Sequence, residues 1–225
     1  MINYSDNNLI KLIGTVVSDK VFSHEVYGEG FYSFELEVPR LSDNNDIIPV
    51  TVSERLLAGF DFHIGQKVVI DGQFRSYNNY ENEKNKLVLT VFVKEIRLQT
   101  EEDENANSNE IILNGFICRK PIYRTTPFGR EIADILLAVN RAYNKSDYIP
   151  CIAWGRNARY CQNLIVGENV KIWGRIQSRQ YEKKFEDGTI EKRTAYEVSV
   201  SSLEFVNKEE NDSIEEQNVT TEEAI

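Results

Sequence analysis

The sequence predicts an all-β protein of two tandem five-stranded barrels, each with a short helix between its third and fourth strands, followed by an acidic disordered tail. Two observations lead to this prediction. β-branched and aromatic residues form short runs separated by Gly, Asn and Asp, the pattern of strands joined by turns. These runs occur twice, about 101 residues apart. The 225 residues are enough for two domains of ordinary size, each with its own core.

The repeat is anchored by glycine and proline positions. Gly14 matches Gly115, and the pair at 48–49 (Ile-Pro) matches the pair at 149–150, both 101 residues later. After one inserted residue the spacing becomes 102. The anchors in that register are Gly65 with Gly167, Gly72 with Gly174, and Ser76 with Ser178. Anchors that keep register over most of a domain indicate a duplication.

Each repeat is expected to hold five strands and one short helix. In the first repeat the strands are predicted at 9–18, 31–38, 47–52, 67–77 and 87–98. In the second they are predicted at 110–119, 130–140, 148–154, 169–180 and 193–206. The helix at 156–165 places Ala158, Cys161, Leu164 and Ile165 on one face, and Gly167 suits its C-terminal cap. Five strands with a helix between the third and fourth is the plan of an OB barrel.

Composition suggests the domain boundaries. Residues 101–109 are acidic and polar, without a predicted cap or an apolar side chain larger than Ala, so we expect a flexible acidic linker there. From Asn207 the chain is again acidic and rich in amides, which predicts a disordered tail. The expected domains are therefore 1–100 and 110–206, with the linker at 101–109 and the tail at 207–225.

The charge is distributed unevenly. The formal net charge is −10, yet residues 111–206 carry 15 Lys and Arg against 10 Asp and Glu. The local field, more than the net charge, steers a polyanion toward a protein. The acidic total therefore excludes neither DNA nor RNA as a ligand.

Apolar runs and cysteines exclude other classes of protein. The longest apolar runs are far too short for a membrane span, and the N-terminus lacks the pattern of a signal peptide, so we expect a cytoplasmic protein with no membrane association. Cys118, Cys151 and Cys161 have no CxxC spacing, and the two histidines lie far from them in sequence. We expect three buried or half-buried thiols, no disulfide, no metal site and no cofactor.

The fourth strand of the second repeat carries a functional signal. Read with a period of two, Val170, Ile172, Gly174 and Ile176 share one face. The other face carries Lys171, Trp173, Arg175, Gln177, Arg179 and Tyr181. One face can fill a core, whereas the other mixes cations with flat π surfaces. That mixture is typical of surfaces that hold a phosphate backbone and stack bases.

A set of motifs covers nearly all of residues 109–206. It consists of Gly115, Arg119, Pro121, Arg124, Thr126, Pro127 and Gly129, then 137–141 (Leu-Ala-Val-Asn-Arg), 147–155 (Asp-Tyr-Ile-Pro-Cys-Ile-Ala-Trp-Gly), 174–179 (Gly-Arg-Ile-Gln-Ser-Arg) and Tyr181. Together these motifs closely resemble the bacterial single-stranded DNA-binding protein family. The first repeat resembles that family only through its glycines and its Ile48-Pro49 pair, as a diverged copy would.

The resemblance implies a set of DNA-binding residues. The family stacks bases at places that here hold Tyr143, Tyr148, Trp154 and Tyr181. The cations near them are Arg124, Arg130, Arg141, Arg156, Arg175, Arg179, Lys183 and Lys184. Trp173 has no aromatic counterpart in the family and is either an extra stacking surface or an interface residue. Any one of these aromatics alone would more often pack a barrel, but their joint occurrence on the basic block favours binding.

The resemblance also implies a function and an assembly. We expect non-catalytic, largely sequence-independent single-stranded DNA binding in replication, recombination or repair, in the cytoplasm at the nucleoid. Two barrels per chain imply a homodimer with four, as in two-barrel members of the family. Replication or repair proteins are expected partners, but the acidic tip ending in Pro and Phe that recruits them is absent, since this chain ends Glu-Glu-Ala-Ile. The sequence leaves DNA and RNA unresolved.

Two other function classes are considered. In a protein-interaction adaptor, the acidic first repeat and the tail would do the work. A nuclease is the weakest candidate, because no cluster of carboxylates with Arg is present to hold a metal and activate water.

The two repeats are expected to be unequal. At a spacing of 101, Tyr148 corresponds to Ile47 and Trp154 to Ser53, so the first repeat lacks these stacking residues. We therefore expect it to be mainly structural and dimerising. It is expected to contribute at most weak contacts with DNA, from Arg40, Arg55, Arg75, Tyr77 and Tyr80.

Overall fold

The computed structural model describes residues 7–42, 44–81, 84–185 and 188–206, so the predicted tail and the side chain of Tyr80 lie outside the described part. The first half contains β1 (Asn8–Val16), β2 (Val21–Val26), β3 (Glu29–Pro39), β4 (Asn45–Ser53), α1 (Glu54–Leu57), β5 (Lys67–Glu81) and β6 (Lys84–Leu98). A 3-10 helix (Glu101–Asp103) connects the halves. The second half contains β7 (Asn109–Ile117), β8 (Ile122–Thr125), β9 (Glu131–Arg141), β10 (Lys145–Trp154), α2 (Arg156–Cys161), β11 (Asn169–Lys184) and β12 (Ile190–Phe205).

Each half closes into a barrel. In the first half the ring runs β1, β3, β4, β6, β5 and back to β1, with β4 and β6 parallel and the other pairs antiparallel. The second half repeats this ring as β7, β9, β10, β12, β11 and back to β7. Five closed strands with a short helix between the third and fourth confirm the prediction of two OB barrels.

Two strands were not predicted. β2 pairs along β3, and β8 pairs along β9, so each lies at an outer edge of the sheet. Every residue of β2 is exposed, and β8 buries none of its side chains fully. Because neither strand contributes to a core, neither carries the alternation of apolar and polar residues that predicts a strand.

The predicted helix at 156–165 is too long. α2 ends at Cys161, and although Ala158, Cys161 and Leu164 are buried as expected, Ile165 is 64% exposed. The chain turns away before a further helical turn could bring Ile165 onto the barrel. Gly167, with φ of +93°, then leads into β11. No helix in the described ranges is long and apolar enough to cross a membrane.

The repeated glycines allow each first strand to serve two partners. β1 pairs with β5 and, at its end, also with β3. A Cβ on Gly14 would lie 2.4 Å from the carbonyl oxygen of Glu37, and a Cβ on Gly115 would lie 2.5 Å from that of Ala138. Only glycine allows this approach of two backbones. Closure of the barrel explains why this glycine occurs in both repeats.

The two barrels share one continuous sheet. β1 and β7 pair antiparallel about the Ile10–Ile111 pair, with Asn8 opposite Leu113 and Leu12 opposite Asn109. Since Ile10 and Ile111 are equivalent positions of the repeat, the two halves are related by a local two-fold axis. The junction is buried, because Ile10, Leu12, Ile111 and Leu113 are all core residues.

Two buried aspartates fasten the halves on either side of this axis. A carboxylate oxygen of Asp46 in β4 accepts hydrogen bonds from the Ser178 backbone nitrogen at 2.6 Å and hydroxyl at 3.0 Å. The equivalent Asp147 in β10 accepts one from the Ser76 backbone nitrogen at 2.8 Å. The Asp46 carboxylate is also held by Arg40, at 2.6 and 2.8 Å, whereas Arg141 approaches Asp147 only to 3.5 Å. The interdomain contact made by Asp46 therefore has more and shorter hydrogen bonds than the equivalent contact made by Asp147.

The segment at 101–109, where we expect a linker, makes specific contacts with the barrel strands. Its Asp103 carboxylate accepts hydrogen bonds from the guanidinium of Arg97 at 2.6 and 2.7 Å and from the Thr100 backbone at 2.9 Å. The Ser108 hydroxyl donates to the carbonyl oxygen of Pro39 at 2.9 Å. Its acidic composition predicts a solvated chain, but these residues have specific partners in neighbouring strands.

The two interdomain aspartates should respond to pH in opposite directions. Burial raises the pKa of Asp46, but hydrogen bonds from Arg40 and Ser178 outweigh burial and bring that pKa below its ordinary value of 3.8. Burial dominates at Asp147 and raises its pKa. A lowered folded-state pKa gives stability that is present above the unfolded pKa and is lost as pH falls through the folded pKa. A raised pKa gives the reverse change.

Urea unfolding at neutral pH and at pH about 3 tests this asymmetry. The advantage of the native protein over Asp46→Asn should shrink on acidification, because the carboxylate of the unfolded chain has the higher pKa and takes up a proton before the native carboxylate does. The advantage over Asp147→Asn should grow over the same interval. Parallel changes in the two variants would contradict the assignment of the charges.

Candidate nucleic-acid interface

The outer face of β8, β9 and β10 brings several predicted residues together. Trp154 in β10 is opposite Ile132 in β9, which is in turn opposite Arg124 in β8. Residues directly opposite each other in antiparallel strands point to the same side, so Trp154 and Arg124 share this face. Tyr148 lies on the same face of β10, opposite Ala138. The residues between them, Ile149, Cys151 and Ala153, are buried in the barrel.

The four predicted stacking residues are all exposed. The exposed fraction is 95% for Tyr143, 47% for Tyr148, 38% for Trp154 and 38% for Tyr181. These rings therefore do not fill the barrel core, and at least part of each is accessible to a ligand.

Tyr143 occupies an unusual backbone conformation. It lies between β9 and β10 with φ of +62°, and the following Asn144 has φ of +54°. Positive φ is uncommon outside glycine and is least costly for Asn, so an aromatic residue here is disfavoured by the backbone. The turn holds the Tyr143 ring almost wholly in solvent.

A groove adjoins Trp154 and includes an aromatic residue that the sequence analysis missed. It has a volume of about 560 Å³ and is lined by Thr126, Phe128, Arg130 and Trp154. Phe128 is 92% exposed at the tight turn between β8 and β9, where Gly129 has φ of +74°. An aromatic residue inside the turn sequence Thr-Pro-Phe-Gly cannot reach a core. Its position in that turn could therefore have identified Phe128 as an exposed ring from the sequence. Arg130 and Trp154 lie together here as predicted neighbours.

The predicted cations divide into paired and unpaired groups. Arg124 forms a hydrogen-bonded ion pair with Asp134 at 2.9 Å, and Arg179 lies 3.9 Å from Glu197. Arg130 and Arg156 are exposed and make no ion pair within the described part of the chain. Both guanidinium groups are more than half exposed, and the Arg179 contact is long, so Arg124 and Arg179 remain available to a ligand.

A long hairpin arm carries the remaining predicted residues. β11 and β12 stay paired out to Lys184 and Ile190, and the residues of β11 from Arg179 to Lys184 are exposed. The guanidinium of Arg179 lies 5.9 Å from the ring centroid of Tyr181, and the ammonium of Lys183 lies 5.3 Å from that of Phe185. Cations and rings therefore alternate along an exposed ribbon, as the strand pattern predicted.

Three predicted residues lie elsewhere. Arg175 lies at the seam between the halves, 3.8 Å from the buried carboxylate of Asp46. Arg141 lies beside Asp147 and lines a pocket of the first half. Trp173 is half-buried on β11 beneath the ammonium of Lys171, which lies 5.0 Å from its ring centroid. The alternation along a strand predicts which face each side chain is on. It does not predict that Arg175 and Arg141 lie where the two barrels meet, because that depends on how the barrels join.

The cysteines match the prediction. Cys151 and Cys161 are buried, Cys118 is half-buried, and all three are free thiols. Burial raises the pKa of the Cys161 thiol to about 11, so it remains protonated and unreactive at neutral pH. No group of three or more His, Cys, Asp or Glu side chains that could hold a metal ion occurs in the described ranges.

Known proteins resemble this chain in sequence. The model of the single-strand binding protein family matches residues 108–206. The single-stranded DNA-binding protein of Clostridium tetani is 36% identical over 105 residues, which cover 44% of this chain and 70% of that protein. The single-stranded DNA-binding protein B of Bacillus subtilis is 35% identical over 86 residues, covering 34% and 74%. Single-stranded DNA-binding protein 1 of Staphylococcus aureus is 37% identical over 83 residues. These residues cover 34% of this chain and 50% of that protein.

Solved structures extend the comparison to both barrels. The wild-type single-stranded DNA-binding protein of Thermus aquaticus matches with a TM-score of 0.72 over 89% of this chain and 93% of that chain, at 19% identity. A deletion mutant of the same protein matches with a TM-score of 0.69 over 89% of this chain and 95% of that chain, at 20% identity. At this identity the likeness establishes the fold, including the tandem arrangement of two OB barrels. From the sequence identities and the share of the relatives that is covered, the chain belongs to the single-strand binding protein family.

Proposed function

We propose that this chain binds single-stranded DNA, largely without sequence preference, by stacking bases on exposed aromatic rings and by placing phosphates on exposed cations. One observation carries the proposal: Tyr148 and Trp154 are exposed on one face of β10, beside the exposed cations Arg124 and Arg130. Stacking on aromatics does not depend on base identity, because every base has a π face. Family membership favours the same ligand.

The binding surface is proposed to comprise the predicted set and one addition. The outer face of β10 and the hairpin arm of β11 and β12 would hold the bases and phosphates in sequence along the strand. Phe128 joins this surface because its exposed ring lies in the groove beside Trp154. Arg141 and Arg175 would act where the two halves meet and the strand passes toward the first half, and Trp173 would act beside Lys171 on β11.

The biological role and assembly are also proposals. The chain would protect or organise single strands in replication, recombination or repair, in the cytoplasm at the nucleoid, as a binding protein without catalytic activity. A homodimer would supply four barrels. The domains would be 1–100 and 110–206, since β6 ends at Leu98 and β7 begins at Asn109. The adaptor alternative is not favoured, because the family match covers the half that carries the exposed aromatics.

Intrinsic tryptophan fluorescence tests the proposal, because both tryptophans of the chain lie in the second half. Oligothymidine should quench the emission, and duplex DNA of equal length should not. The logarithm of the affinity should fall with the logarithm of salt concentration by about 0.7 for each phosphate contacted. A parallel titration with oligouridine separates DNA from RNA preference. No binding of the single strand, or equal binding of the duplex, would overturn the proposal.

A further inference from the structure

The first barrel has an open pocket on its outer face. The pocket has a volume of about 540 Å³ and lies between β2, β4, β5 and β6, with one residue, Arg141, reaching in from the second half. Its other lining residues include His24, Thr51, Arg75, Tyr77 and Phe92. A pocket of this size can hold a nucleotide or a similar small ligand.

A row of flat side chains runs along one side of the pocket, and all of them except Phe31 line it. The guanidinium carbon of Arg75 lies 3.6 Å from the ring centroid of Phe92, which is the distance of a stacked cation–π pair. The Phe92 ring lies 5.7 Å from Phe31, and Phe31 stacks on His24 at 5.0 Å with an interplanar angle of 8°. Tyr77 is exposed at the edge of the pocket. Such a wall offers a planar base several surfaces for stacking.

Two positive charges face the same space. Within the described residues, the guanidinium of Arg75 donates its hydrogen bonds to the neutral amide oxygen of Gln73, at 2.8 and 3.3 Å, and forms no ion pair. Arg141 also lines the pocket. Asp147, 3.5 Å from Arg141, balances part of the charge of both guanidinium groups, so one net positive charge remains among the three side chains. Burial and then repulsion from Arg141 lower the pKa of Arg75 to about 10, so Arg75 remains charged at neutral pH. An anion between the two guanidiniums would reduce that repulsion.

The strand register shows that the second barrel lacks this pocket chemistry. In the first barrel, Gln73 of β5 is opposite Phe92 of β6, and Arg75 is opposite Thr90. In the second barrel, the equivalent pairs of β11 and β12 are Arg175 with Ser199 and Gln177 with Glu197. Where the first barrel stacks Arg75 on Phe92, the second therefore has Gln177 donating to Glu197 at 2.8 Å. A carboxylate in the centre of the face repels phosphate. The two barrels thus carry their cations and rings at different places on the same face.

Sequence comparison missed this pocket because the spacing of the repeat changes. Gly72 and Gly174 are equivalent at 102 residues, but their partners Val93 and Val200 are 107 apart, because the second hairpin is longer. The expectation that the first repeat lost its binding residues was based on residues up to Tyr181, for which the spacing is 101 or 102. It did not include the fifth barrel strand, for which the spacing is 107. Arg75 and Phe92 become neighbours only through the pairing of β5 with β6.

We propose that this pocket binds one nucleotide, with its phosphate between Arg75 and Arg141 and its base against Tyr77 and the stacked Arg75–Phe92 pair. The inference rests on the proposed function, because the nucleotide would belong to the bound single strand. The same chemistry fits a free mononucleotide. The first half is then a binding domain with its own site, in addition to its structural role.

Titration of the full chain with labelled oligothymidine tests the pocket. Arg75→Gln should weaken binding about tenfold and reduce the salt slope by about 0.7, because one phosphate contact is lost. Phe92→Leu should weaken binding by a similar factor through lost stacking, with the slope unchanged. Lys67→Gln is the matched control, since it removes one charge from the same strand about 26 Å from Arg75 and beyond a Debye length of about 10 Å.

A reporter variant separates the outcomes. Trp154→Phe and Trp173→Phe combined with Phe92→Trp places the one tryptophan of the chain in the pocket. Quenching by oligothymidine alone supports a site for the strand, and quenching by thymidine monophosphate as well supports a site that also accepts a free nucleotide. Quenching by neither, or native affinity and slope in folded Arg75→Gln and Phe92→Leu, overturns the inference while the proposed function stands. Absence of single-strand binding by the native chain would overturn both.

Discussion

Replacing Asp46 with Ala should lower the free energy of unfolding by about 3–5 kcal/mol, as for other buried ion pairs that lose one partner. The Asp46 side chain is fully buried and accepts hydrogen bonds from Arg40 and from two groups of Ser178. Ala would leave the Arg40 guanidinium without its carboxylate and the Ser178 nitrogen without an acceptor, in a place that water reaches poorly. Urea unfolding at neutral pH measures the change.

Two matched variants show whether the loss reflects the seam between the barrels. Asp147→Ala removes the equivalent carboxylate, but only about 1–3 kcal/mol is expected, because it accepts one close backbone hydrogen bond and its arginine is more distant. Asp61→Ala removes an exposed carboxylate and should change stability by less than about 0.5 kcal/mol. A smaller loss for Asp46→Ala than for Asp147→Ala would contradict the proposed difference between the two sides.

The combined replacement of Tyr148 and Trp154 with Ala should weaken oligothymidine binding by about 2–6 kcal/mol, since each stacked base contributes about 1–3 kcal/mol. The two residues are separated by about 20 Å along β10, so their effects should add. Both rings are exposed on the outer face, and their removal leaves the buried side of β10 unchanged. Fluorescence anisotropy at fixed salt concentration measures the affinity.

Tyr27→Ala is the control for this loss. Tyr27 is a fully exposed aromatic residue at the turn between β2 and β3 and lines neither the groove of Trp154 nor the pocket of Arg75, so its replacement should leave affinity unchanged. Circular dichroism verifies that each variant retains its strands. Native affinity in a folded Trp154→Ala variant would assign Trp154 to packing, the reading that its residue type alone favours.

The barrel strands could be predicted because each buries alternate side chains. The alternation of Val170, Ile172 and Ile176 with Trp173 and Arg175 reflects a physical boundary between core and surface, and the sequence carries it directly. β2 has no such boundary, since its side chains are all exposed and β3 alone holds it. Edge strands of this kind are decided by pairing, which one segment of sequence cannot reveal.

The candidate site was predictable in part for the same reason. Alternate side chains of a strand point to opposite faces, and Ile149, Cys151 and Ala153 of β10 point into the core. Tyr148 and Trp154 are therefore on the exposed face. Arg175 and Arg141 were predicted beside them, but lie at the seam because Asp46 and Asp147 bring the opposite barrel close. The pocket of Arg75 and Phe92 depends on hairpin register, which differs between the repeats.

The pairing of β1 with β7 about Ile10 and Ile111 changes how the association of the two barrels depends on concentration. Two separate chains joined by such a strand pair would come apart on dilution, following mass action. The short connection between β6 and β7 instead supplies each barrel with its partner at an effective concentration in about the millimolar range, whatever the amount of protein. Because both partners are encoded in one chain, a substitution on one side is not copied onto the other. The tight Arg40–Asp46 contact and the open Arg75–Arg141 pocket could therefore arise on opposite sides of one two-fold axis, a division that identical subunits cannot make.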